Sequence, residues 1–156
     1  MMKHSFLILL IFTAFILIGA SSCRKENTII HNTNNEAMIN GNIKIIIGSQ
    51  TFTAKLLDNN SAKNFKEMLP LTINMTDLYG NEKYYEFSKS LPTNSSNPGM
   101  INNGDLMLYG SKTLVLFYKT FSTSYSYTKL GKIDDATGLA SALGSGNVTV
   151  TFELES

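Results

Sequence analysis

Beyond Gly41 the chain alternates apolar and polar residues with the short period of a pleated strand. Ile43, Ile45 and Ile47 share one face, and Gly48-Ser49 supplies a tight turn with glycine first, where positive φ is needed. Phe52, Ala54 and Leu56 then alternate with Thr51, Thr53 and Lys55, which completes a hairpin. Over residues 59–68 the period lengthens. Ala62, Phe65, Met68 and Leu69 fall on one side of a helix, with Asn60 or Ser61 as its cap and Pro70 as its stop. Alternation returns in Leu71, Ile73 and Met75, and less cleanly around Tyr85 and Phe87. A polar stretch over 91–104, containing Pro92, Pro98 and Gly99, is long enough for a loop with a role of its own. Residues 105–109 and 112–119 predict a second hairpin turned by Gly110-Ser111, and 125–133 a further strand. Asp134 or Asp135 caps a short helix bearing Leu139, Ala142 and Leu143, which Gly144 and Gly146 end. The last strand has the cleanest pattern, with Val148, Val150, Phe152 and Leu154 on one face and Thr149, Thr151 and Glu153 on the other.

About eight strands and two short helices, with little charge at inward positions, predict a mainly β domain closed into a barrel, which leaves no edge strand to aggregate. The expected organisation is a signal segment over 1–22, a flexible tether over 23–41 and the barrel over 42–156. The tether is rich in Asn, Thr and Glu, and its few apolar residues, such as the pair Ile29-Ile30, bury too little to offset the entropy of ordering.

The start of the chain has a different pattern. Lys3 precedes an apolar run from Phe6 to Ala20 broken only by Thr13, too short for a membrane-spanning helix and suited to a secretory signal. Ala20-Ser21-Ser22-Cys23 resembles the lipobox of bacterial lipoproteins, although that family most often has leucine where Ala20 stands. The resemblance implies that Cys23, the sole cysteine, takes a diacylglycerol and becomes the new N-terminus. Small residues at Ala20 and Ser22 also satisfy an ordinary signal-peptidase site. Lipidation at Cys23 makes the bilayer a partner through its acyl chains, without a membrane span. The protein is then exported and anchored in the bacterial envelope, with its domain in the periplasm or at the surface. Arg24 and Lys25 after the cysteine, with no acidic neighbour, point by analogy with lipoprotein sorting to the outer membrane.

Composition narrows the function. The chain carries 13 Lys and Arg against 12 Asp and Glu, and removal of Lys3 with the leader leaves it neutral. No basic stripe for nucleic acid is present. With a single cysteine no internal disulfide forms, so packing must hold a domain expected to be monomeric. The only histidines are His4 and His31, outside the expected barrel. The barrel therefore lacks the residues for Ser-His-Asp or Cys-His catalysis and for a nitrogen or sulfur metal site, and no cofactor or metal is expected.

The order of strand, strand, helix, several strands, helix and strand resembles the cyclophilin barrel. Asp58-Asn59-Asn60-Ser61-Ala62 leading to Leu69-Pro70-Leu71 supports this, as do Asn81-Glu82-Lys83-Tyr84-Tyr85, Ile101-Asn102-Asn103-Gly104-Asp105 and Phe117-Tyr118-Lys119-Thr120-Phe121. Together they resemble the small bacterial cyclophilin-like family over essentially the whole domain, from Ile43 to Phe152. The resemblance implies the fold, and members of this family have no securely established activity. Cyclophilins lower the X-Pro rotation barrier of roughly 20 kcal/mol with an apolar pocket and an arginine on the proline nitrogen. Here the single arginine is Arg24, in the tether, and tryptophan is absent. Lys83 or Lys119 could supply a charge but not the planar guanidinium fork.

Two functions follow as expectations. One is a non-catalytic module binding a peptide or small ligand, and the other a weak prolyl isomerase working by shape and desolvation. Tyr84, Tyr85, Tyr109, Phe117, Tyr118, Phe121, Tyr125 and Tyr127 crowd one part of the chain. Phe117 and Tyr85 also suit a barrel core, whereas Phe121 and Tyr125 sit among Ser122, Thr123, Ser124 and Ser126 and must either plug the barrel or wall a groove. The expected groove has Tyr84, Phe117, Phe121 and Tyr125 as walls and Asn102 and Asp105 at its rim. Glu82, Glu86 and Asp105 are a weaker candidate for an acid pair, since Asp105 after Asn103-Gly104 equally suits a turn.

Overall fold

The computed structural model describes residues 37–156; the expected signal segment, Cys23 and the tether as far as Glu36 lie outside the described residues. β1 (Met38–Ile47) and β2 (Gln50–Leu57) form the first hairpin, and α1 (Asn60–Glu67) follows. β3 (Leu71–Leu78) and β4 (Glu82–Glu86) form a second hairpin, and β5 (Met100–Ile101) emerges from the polar loop. β6 (Asp105–Tyr109), β7 (Thr113–Phe117), β8 (Phe121–Ser122), β9 (Thr128–Ile133), α2 (Leu139–Leu143) and β10 (Val148–Leu154) complete the order. Eight strands close as β1-β10-β3-β4-β7-β6-β9-β2, while β5 and β8 pair separately. The expected closed barrel with two short helices is the architecture observed.

The inward faces are those the alternation marks. Ile43, Ile45, Ile47, Ala54, Leu56, Ile73, Val150 and Phe152 are buried in one core. α1 adds Phe65, edge-on to Phe152 at 5.6 Å between ring centres, and α2 adds Leu139 and Leu143. At the first turn Gly48 has φ 58, as a turn with glycine first requires.

Several local expectations are corrected. β1 begins at Met38, inside the expected tether, because a register shift between Met38 and Asn42 breaks the alternation there. The cap of α1 is Asn59, whose side chain accepts from the Ala62 N–H at 2.8 Å, not Asn60 or Ser61. Neither Asp134 nor Asp135 caps α2, which starts after Gly138. Asp135 instead accepts from the Thr137 N–H at 2.9 Å, and Asp134 pairs with Lys55 at 3.2 Å. β9 starts at Thr128, three residues later than expected, since Tyr125 and Ser126 remain in the loop.

An inward charge is present after all. Lys83 on β4 is fully buried, on the face of its register partner Leu116. Its ammonium donates to Asp77 Oδ1 at 2.7 Å and to the carbonyls of Gly144 and Gly146 at 2.9 and 2.7 Å. The Tyr118 hydroxyl donates to the same Asp77 oxygen, and the ammonium lies 5.4 Å from the Tyr118 ring centre. All three protons of the cation are thereby committed, which is how a buried ammonium is tolerated. Lys83 and Tyr118 hold the Asp77 carboxyl below the usual carboxylate range.

Candidate functional site

β6 and β7 are buried on both faces. Their inner residues Leu106, Leu108, Leu114 and Leu116 belong to the barrel core, while Met107, Val115 and Phe117 point outward into a second cluster with Ile101 and Tyr127. The cover on this outer face comes from the long polar loop and the aromatic loop that follows β7. Met100 pairs with Ser122 and Ile101 with Phe121. Ser96 and Tyr127 exchange backbone hydrogen bonds at 3.0 Å, the Thr123 N–H donates to Gly99 O at 3.0 Å, and the Asn97 amide donates to Ser124 O at 3.1 Å. Residues 91–104 thus act as a brace for the aromatic loop.

Beside this brace lies a groove of about 530 Å³. Tyr84, Tyr109, Tyr125, Tyr127 and Phe121 wall it, Val115 contributes apolar surface, and Thr113, Ser122, Thr123 and Ser124 contribute hydroxyl-bearing residues. The rings form a continuous chain: Tyr125 to Tyr109 at 6.1 Å and nearly perpendicular, Tyr109 to Tyr127 at 5.6 Å, Tyr127 to Phe117 at 5.5 Å, and Phe117 to Phe121 at 5.8 Å. Such edge-to-face contacts hold rings in place while leaving their outer faces available. Tyr125 is 62% exposed and Tyr109 47%, so these rings are walls of the groove and not plugs. Phe121 is half-buried against the outer cluster and serves as both.

Of the expected groove residues, Tyr84, Phe121 and Tyr125 line one groove. Phe117 does not line it: it is fully buried beneath, as the support for Phe121 and Tyr127. Asn102 and Asp105 are not at its rim but in a separate depression with Pro98, Met100, Lys129 and Lys132. The Asp105 carboxylate turns back to accept the Asn102 N–H at 2.7 Å and so closes a turn, and burial pushes its pKa up. Glu82, Glu86 and Asp105 form no acid pair: Glu82 lines the aromatic groove, Asp105 the other depression, and Glu86 is exposed at the far end of β4. Lys83 faces away from the groove into the barrel, and Lys119 is exposed.

The β3–β4 turn and the start of β4 add Tyr79, Asn81 and Glu82 to the lining, outside the expected groove. Tyr79 is 90% exposed and, with Gly80, occupies the turn between β3 and β4. Both have positive φ, 55 and 67, which is the backbone of a type I′ turn. A tyrosine in this conformation is unusual, and such strain concentrates at ligand sites. Asn81 follows, and its buried side-chain oxygen has no hydrogen-bond donor among the described residues. Glu82 comes next. Its register partners are Leu78 and Phe117, no hydrogen bond or ion pair from the described residues reaches its carboxylate, and burial raises its pKa to about 7. Three polar-capable residues in the motif Tyr-Gly-Asn-Glu are a signal, but only the hairpin turn brings them to the groove.

A hypothetical protein of Archaeoglobus fulgidus, solved in solution, has a similar structure, with a TM-score of 0.57 at 16% identity. The alignment covers 78% of this chain and 99% of that one, and at this identity it speaks for the fold alone. No curated protein matches the sequence. The profile of the Cyclophilin-like family matches residues 45–153, almost the whole barrel including every wall of the aromatic groove, and the chain belongs to that family.

Proposed function

We propose that the protein is a membrane-anchored lipoprotein of the bacterial envelope whose barrel is a non-catalytic binding module for a peptide segment or small ligand. The observation that carries the binding reading is the braced groove itself, apolar and aromatic with a few hydroxyl groups, as ligand sites usually are. Among the described residues its lining includes no arginine, lysine or histidine to assist rotation about an X-Pro bond. The anchor rests on the motif ending at Cys23.

Two loop variants test the site. Tyr125→Ala removes an exposed ring and is expected to leave the melting temperature nearly unchanged while abolishing binding of hits from a peptide and fragment screen followed by NMR. Phe121→Ala, half-buried, should also lose binding but cost about 2 kcal/mol of stability. If Tyr125→Ala melts far below wild type and the parent binds nothing, the rings are packing only. Acceleration of X-Pro isomerisation at least about a hundredfold above background, abolished by Phe121→Ala, would establish the isomerase reading instead. For the anchor, Cys23→Ser is expected to abolish fatty-acid labelling in cells, and equal labelling of the two chains would exclude lipidation at this residue.

A further inference from the structure

The groove has a sign. Among the described residues its lining holds six aromatic rings and one carboxylate, Glu82, with no basic side chain. Structural carboxylates normally find a partner, as Asp77 does in Lys83 and Asp105 in the Asn102 N–H. Glu82 finds none among the described residues, although it is half-buried and bordered by Leu78 and Phe117. An unpaired carboxylate in such a setting is costly; a proton relieves it, and a cation arriving from solution stabilises its charged form. Tyrosine rings present the same preference, because their faces are negative and attract ammonium groups. Tyr109 and Tyr125, nearly perpendicular at 6.1 Å, form a corner of the kind that encloses a rounded cation.

We propose that the groove receives a small organic ammonium ion, its charged head held against the faces of Tyr84, Tyr109 and Tyr125 with Glu82 as the counter-charge. This inference rests on the groove being a binding site and adds the chemistry of what it binds. The charged and titratable groups facing Glu82 are few. β3 offers Asp77, already paired with Lys83; the residue just after β7 is Tyr118, whose hydroxyl is held by Asp77; and the loop before β9 offers Tyr127. Burial keeps both phenols above their ordinary pKa, so they stay neutral where Glu82 titrates. Burial holds Glu82 partly protonated near pH 7, and a bound cation favours its charged form.

Choline and its neutral isostere 3,3-dimethylbutan-1-ol, titrated by NMR into the purified protein, provide the test. Choline is expected to bind about tenfold or more tightly than the isostere at about pH 8.5, with shifts at Tyr84, Tyr109 and Tyr125, and to weaken about tenfold at about pH 5.5. Glu82→Gln should abolish the pH dependence and reduce choline's advantage over the isostere to the smaller preference that the tyrosine faces supply. Equal binding of the two probes would overturn the cation inference and leave the groove as a binding site. Failure of choline while screened peptides or neutral fragments still bind would do the same. Failure of every probe would remove the binding reading along with it.

Discussion

Val150→Asp is expected to unfold the barrel, whereas Thr151→Asp leaves it folded. Val150 is fully buried, between Ile47 on β1 and Ile73 on β3, where a carboxylate finds neither water nor a partner. Burying an unpaired charge costs several kcal/mol, on the order of the total stability of a small domain. Thr151 lies on the other face of the strand, where its hydroxyl shares a hydrogen bond with that of Thr72 at 2.9 Å in solvent. Loss of that bond costs about 1 kcal/mol. Thermal melts of the two variants decide the point, and coincident transitions would mean that the strand does not divide inside from outside.

Lys83→Met should also destabilise the barrel. The substitution keeps the length of the side chain but leaves the Asp77 carboxylate and the Gly144 and Gly146 carbonyls without their donor. Asp77 keeps some contact with solvent, so the loss is that of stranding the acceptors around a buried donor, about 1–3 kcal/mol. Replacing Asp77 by Leu in the same chain should recover part of the loss, because no carboxylate is then stranded. Acid should act on the wild type in the same direction. The folded Asp77 pKa is depressed, so its contribution is present at neutral pH and is lost as pH falls through that depressed value. Glu82 acts in the opposite sense: its raised pKa makes the fold lose stability as pH rises from 4.5 to about 7. Chemical denaturation of Lys83→Met across pH, with loss of the acid-side slope, measures the Asp77 contribution; an unchanged midpoint would show that Lys83 holds nothing.

The elements most legible in the sequence are those with one face in solvent. β1, β2, β3 and β10 alternate because water covers one side and the core the other. β6 and β7 are covered twice, so 114–118 is a continuous apolar run, Leu-Val-Leu-Phe-Tyr, whose period says nothing about which face holds a site. β5 and β8 are two residues each and leave no period at all. The aromatic loop was visible because Phe121 and Tyr125 stand among serines and threonines. Tyr79 and Glu82 were not placed with it, since only the pairing of β4 with β7 sets Glu82 opposite Phe117. Asn102 and Asp105 lie outside the groove for a local reason: the Asp105 carboxylate is used by the backbone next to it. Lys83 escaped because its partners, Asp77 and two glycine carbonyls, come from three separate elements.

The seam between β1 and β10 has a consequence for how the chain reaches this structure. Ile43 pairs with Leu154, and the Glu155 N–H donates to Asn42 O at 3.0 Å, so the barrel is shut by contacts between its most distant strands. A chain lacking β10 leaves β1 and β3 without the strand between them, and Phe65 without the ring of Phe152. The entropy of bringing these ends together must be met before their contacts contribute, which places the domain among the slower small folders, on the order of milliseconds to seconds. The ladder from β3 through β4, β7 and β6 is assembled from nearer neighbours in the chain. The scaffold of the groove therefore belongs to the part of the molecule that forms without waiting for closure.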